Sequence, residues 1–401
     1  MRKLVIVIWV LVFVLSFSSE VAFAKRKRSG RKYFPPLTHP VVLWSRTLAD
    51  GPDFEQRKVA AFKLSQYSQS IYQEEVINTL LKCLKDPDEH IKVFCTKALG
   101  KATNKSKDET IRKSLIEQYK TDPHLRGTLI RTFSNRKDSH PLVQETLLTA
   151  IQESTDLEEV LPALEYFEQF GGSKAVDPLV ILYNKSDNVK IKRGIVKVLA
   201  ERGQGQDSVI SILAECVDSK DTTLVLNCLS ALQVQARKDT KTLTAVEKTL
   251  ESSDPDVVLA TLELIQSLPE SPNEKISSRL LELIQESSEN DIVEKSILAL
   301  GVCGTRSEAV VKALQASLEK KSSEEGIRIS AALSLGKQAD KFPDGPKSTL
   351  NDCKSSVDNS KSLVTACQLA LKELQNRTAK APSLGQPESK NNTSKTAKKA
   401  S

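Results

Sequence analysis

Between Phe34 and Asn376 the chain repeats one hydrophobic pattern. A short amphipathic segment is followed by a polar turn rich in Asp, Ser, Asn or Pro, and then by a second segment with aliphatic and small residues at helical spacing. The stretches 85–100 and 185–200 are two clear copies that align without a gap. Taking the large apolar residue near the end of each second segment as an anchor gives Leu64, Leu99, Phe133, Phe167, Leu199, Leu232, Ile265, Leu300, Leu335 and Leu371, at intervals of 32 to 36 residues. A near-constant period of this size predicts stacked helix pairs, each burying its apolar side against its neighbours.

The residues around each anchor fit that reading. Eight residues before it stands an aliphatic side chain in eight copies, with Gln56 and Glu159 as the exceptions. Four residues before it the side chain is usually small (Ala60, Cys95, Ala163, Cys228), which lets the first helix of a pair come close on the same helical face. Asp86, Asp187, Asp221, Asp254, Asn290 and Asp358 stand in the turns, where an N-cap would satisfy the free amides of the second helix.

The run Leu80-Leu81-x-x-Leu84-x-Asp86-x-x-x-x-Ile91-Lys92-x-x-Cys95-x-x-Ala98-Leu99-Gly100 resembles the HEAT-repeat consensus. The resemblance covers most of the chain and implies an all-α fold, an α-α superhelix of about ten helix pairs over residues 41–377. It is specific for fold and poor for function. Seven residues before the anchor, where the family usually has Arg, stand Arg57, Lys92, Arg126, Lys192 and Arg328. In the family such cations commonly pair with a turn Asp of the neighbouring repeat. The competing reading is that Arg57, Lys92, Arg126 and Lys192, together with Lys197, face a partner.

Composition agrees with a helical array, since aromatic residues make up 5% of the chain and Gly (15) and Pro (16) are too few for the turns of a large β-fold. The charge of +7 is unevenly spread: residues 25–32 carry +6, residues 378–401 carry +4, and the body 33–377 carries −4. An acidic body argues against a specific nucleic-acid groove, whereas basic ends could attract an anionic envelope polymer. Arg2 and Lys3, the apolar run Leu4–Phe17 and the small-x-small site Ala22-Phe23-Ala24 read as a signal peptide over 1–24, cleaved after Ala24, ahead of a basic, Pro-rich lead-in over 25–40. That predicts a periplasmic or secreted protein with no transmembrane span after cleavage. The alternative is an uncleaved anchor holding a cytoplasmic regulatory protein at the membrane, which the cations following Ala24 favour. Residues 378–401 read as a disordered Lys-rich tail.

Six of the seven cysteines form three repeat-equivalent pairs, Cys83/Cys95, Cys216/Cys228 and Cys353/Cys367. In an exported protein they predict three disulfides, each joining the two helices of one repeat. In a reducing compartment they would be small apolar core residues. Cys303 falls outside the pairs. No Gly-rich phosphate loop, Gly-x-Ser-x-Gly or His-Glu-x-x-His occurs, and Glu89-His90 stands alone and reversed against the His-Glu dipeptides of di-iron HEAT-like enzymes. No catalytic, metal-binding or cofactor-binding residue is therefore assigned. The expected function is a non-catalytic exported scaffold that binds a protein, or an envelope polymer, along the concave face.

Overall fold

The computed structural model describes residues 39–235 and 239–380. The expected signal peptide, nearly all of the lead-in and the tail beyond Lys380 lie outside them. Twenty α-helices occupy the described residues. The first helices of the ten pairs are α1 (Pro40–Asp50), α3 (Glu74–Cys83), α5 (Asp108–Thr121), α7 (Pro141–Glu153), α9 (Val176–Lys185), α11 (Asp207–Glu215), α13 (Thr240–Thr249), α15 (Glu274–Glu286), α17 (Glu308–Glu319) and α19 (Asp344–Ser355). The second helices are α2 (Phe54–Gln66), α4 (Glu89–Leu99), α6 (Arg126–Arg136), α8 (Leu157–Phe170), α10 (Val189–Arg202), α12 (Thr222–Gln235), α14 (Pro255–Ser267), α16 (Asn290–Cys303), α18 (Glu325–Gln338) and α20 (Lys361–Lys380). The fold is an all-α, HEAT-like superhelix, with no β-strand among the described residues.

Every anchor falls in a second helix, and the first nine are completely buried. Leu371 is only half-buried, and Ala370 and Leu374 carry the core of α20 there. All ten residues four before the anchors are buried, including Leu129 and Ile195, the two that are not small.

The caps shift from their expected places. Asp221 and Asp254 do cap α12 and α14, accepting from the amides of Leu224 (2.7 Å) and Asp256 (3.0 Å). Asp88 rather than Asp86 caps α4, and Asn188 rather than Asp187 caps α10. Ser360, not Asp358, accepts from Leu363 N at the start of α20, and Asn290 is already inside α16. The reason is geometric: the capping oxygen must lie two or three residues before the amide it accepts from.

Second helices make the more extensive contacts between repeats along most of the array, so they form the inner layer and the first helices splay on the outside. Two glycines mark close approaches to a neighbouring helix's backbone. A Cβ on Gly336 of α18 would stand 2.7 Å from the Ala370 carbonyl oxygen of α20. A Cβ on Gly127 of α6 would stand 2.6 Å from the Glu158 carbonyl oxygen, which Pro162 inside α8 has no N–H to engage.

The inner layer is also tied at its C-terminal ends. Arg136 donates to the carbonyls of Leu99 (3.1 Å) and Ala102 (2.8 Å), and Arg202 to those of Glu168 (2.7 Å) and Gln169 (3.0 Å). Gln235 and Gln338 reach Ala200 and Gly301 in the same way. Each stands three residues after its anchor, so one repeat supplies the C-cap of the repeat before it.

Candidate partner-binding face

On a helix whose anchor points into the core, residues two, five, six and nine before the anchor share the opposite, inward-facing flank. On α10 these are Lys197, Gly194, Arg193 and Lys190. With Leu161, Leu164, Glu165 and Glu168 of α8 and Thr223 and Asn227 of α12 they line an open groove of about 460 Å³ on the inner layer. Gly194 forms part of its floor, where a Cβ would meet Leu164 Cδ1 at 2.8 Å. Arg193 forms a two-pronged pair with Asp221 (Nε–Oδ1 3.0 Å, Nη2–Oδ2 2.6 Å), and the Arg193 guanidinium holds the Asp221 carboxyl below the usual carboxylate range. Lys190 and Lys197 stay exposed.

The inner flank is electrically polarised along the array. In the first five repeats it carries the cations Lys58, Lys97, Arg131, Lys190, Arg193 and Lys197 against Glu55, Glu158 and Glu165. In the last five it carries Asp256, Glu263, Asp291 and Glu294 against Lys295, with leucines at 298, 333 and 369. Arg131 reaches Glu158 (2.8 Å) and Lys295 reaches Glu263 (2.8 Å), both across adjacent second helices.

Of the five cations considered for partner contact, Lys197 lies on this flank. The other four stand seven residues before their anchors, one residue and about 100° around the helix from the inward position. Lys92 pairs with Asp122 in the next turn, with both side chains largely buried. Arg126 donates to the Tyr119 carbonyl (3.2 Å) and lies 4.0 Å from Glu159, the acid that interrupts the aliphatic pattern and is itself buried. Lys192 sits 4.9 Å over the Tyr183 ring, and Arg57 is half-buried against Gly51. Lys92, Arg126 and Lys192 therefore make contacts within the array, whereas Arg57 Nε is buried without a hydrogen-bond partner. The sequence reading passed over Lys190 and Arg193, whose signal was their place two and five residues after the cap Asn188, out of phase with the conspicuous row.

The six paired cysteines come together within repeats. Cα separations are 6.1 Å for Cys83–Cys95, 6.2 Å for Cys216–Cys228 and 6.3 Å for Cys353–Cys367, inside the range a disulfide spans. The first sulfur of each pair lies 3.8, 3.8 and 4.0 Å from the carbonyl oxygens of Ile91, Leu224 and Leu363, the residues eight before their anchors. Cys303 is buried in α16. Among the described residues no group of three or more His, Cys, Asp or Glu side chains is placed to hold a metal ion, and no helix is long and apolar enough to cross a membrane.

No family model matches the chain, and no curated protein matches it. Solved structures similar to it include importin β in an ammonium sulfate condition, with 12% identity over 84% of this chain and 57% of that one, at a TM-score of 0.45. Kap121p bound to Pho4p shows 11% identity over 84% of this chain and 41% of that one, at 0.47. Kap95p with RanGDP shows 14% identity over 84% and 56%, at 0.43. The chain thus spans about half the length of these structures.

Proposed function

We propose that this protein is a non-catalytic, exported scaffold that holds a protein partner against its inner layer. The observation that carries the reading is the groove across α8, α10 and α12, where exposed Lys190 and Lys197 stand beside apolar Leu161 and Leu164 on a wall of packed helices. A rigid, curved surface of this kind offers a long contact with little ordering cost in the scaffold itself. The three cysteine pairs at bridging distance favour export over the membrane-anchored cytoplasmic alternative, because disulfides persist in oxidising compartments. An envelope polymer attracted to the basic ends is the lesser reading, since it would not use the groove.

Crosslinking in the extracytoplasmic fraction tests the proposal. A protein partner is expected on the native chain and its yield should fall at least tenfold with Lys190→Glu/Lys197→Glu. A partner retained in full by that variant would show that the groove is not the docking face. The mature N-terminus, read by mass spectrometry, should begin at Lys25; an intact start would overturn the export part.

A further inference from the structure

The first two repeats carry an apolar patch that the core does not use, with Val59, Phe62 and Phe94 on the same inner flank and Phe54 at its edge. Phe54, Val59 and Phe62 of α2 are 39, 48 and 48% exposed, although nine residues hold all three. Phe62 meets half-buried Phe94 of α4 edge to face, with ring centroids 5.4 Å apart, and Val93 lies beside it. The rim is mainly cationic: Lys58 stands 5.4 Å over the Phe54 ring, and Lys63 and Lys97 are exposed at its borders, against Glu55 and the capping Asp53. Clustered exposed aromatics inside a charged rim mark an interaction site, and a rim mainly of one sign selects the partner.

We propose that this patch docks a short acidic protein segment bearing an aromatic anchor, which seats on Phe62 and Phe94 while its carboxylates meet Lys58, Lys63 and Lys97. The assignment rests on the inner layer being the docking face. Other occupants fit less well. A planar membrane cannot reach into an inward-curved layer. A nucleic acid following the flank would run onto Glu158 and Glu165 of α8. The chain's own residues 25–32 carry six cations and would be repelled.

Fluorescence anisotropy with the full chain tests this, using a fluorescein-labelled 12-residue peptide of three Glu-Asp-Phe-Glu units. Binding is expected, with at least a tenfold loss for Phe62→Ser and for Lys58→Glu/Lys97→Glu, a loss of similar size when the peptide's Phe are replaced by Ser, and no change for Lys113→Glu on the outer layer. The proposal fails if Phe62→Ser binds unchanged, if the Ser peptide or a 12-mer of oligothymidylate binds as well as the Phe peptide, or if the native chain binds none of them. In any of those outcomes, a partner still lost with Lys190→Glu/Lys197→Glu would leave the scaffold reading standing and remove only this patch.

Discussion

Individual side chains decide how close the repeats come. At Gly127 the neighbouring carbonyl is left open by Pro162, so a methyl group there must push α6 and α8 apart. Gly127→Ala is expected to cost about 1–3 kcal/mol, an overpacking penalty, and to lower the urea midpoint without changing the slope. Titration shows at the same scale. Burial, reinforced by Glu159, pushes the Tyr119 phenol up to about 12, and burial raises Tyr166 and Tyr183 as well. An unfolded tyrosine releases its proton near pH 10, so between there and about pH 12 the unfolded state loses protons that the folded state keeps. Stability should therefore be fully present below pH 10 and fall above it, and Tyr119→Phe should flatten that fall in urea titrations at pH 9, 10 and 11.

The elements were legible in the sequence to different depths. The anchors and the small residues before them could be read because a buried stripe needs apolar side chains at fixed helical phase, and Leu64 through Leu335 have no alternative place. The caps could be read only approximately, since Asp86, Asp88 and Asn188 are chemically interchangeable until the backbone says which oxygen faces the free amide. The C-capping row of Arg136, Arg202, Gln235 and Gln338 went unseen, because it joins a side chain to a backbone carbonyl more than thirty residues away and leaves only a long polar residue at one phase. Arg202→Ala should cost about 0.5–1.5 kcal/mol, since it removes the charged donor to the Glu168 and Gln169 carbonyls at an exposed helix end that water can reach. The paired cysteines act on this scale too. Each bridge would close a loop of about 13 residues and add roughly 3 kcal/mol by restricting the unfolded chain. Thiol titration of the denatured, unreduced protein should find one thiol among seven cysteines; finding seven would refute the bridges.

Across the whole molecule, the inner layer is one surface whose charge changes sign halfway, and its far end is held by a contact spanning 107 residues. Arg377 of α20 pairs with Glu270 of the loop after α14, and Glu270 also takes Arg306, which reaches Asp340 at 3.4 Å. The Arg377 guanidinium holds the Glu270 carboxyl below its usual range. This network links repeats seven to ten, so Arg377→Ala should speed amide hydrogen exchange in α20 with little effect on α2 or α4. Sign reversal along the inner layer could not be read by counting charges over the body, because the net −4 averages two halves of opposite character. It emerged once the inward phase was known, one residue away from the row that the family pattern makes conspicuous.

The central claim is that the inner layer, not the outer one, holds a protein. Site-specific photo-crosslinking addresses it directly, with a photoreactive phenylalanine placed in turn at 62 and 197 on the inner layer and at 113 and 312 on the outer. A common protein adduct from the two inner positions and none from the outer pair is the predicted result. Adducts from 113 or 312 with none from 62 or 197 would contradict it.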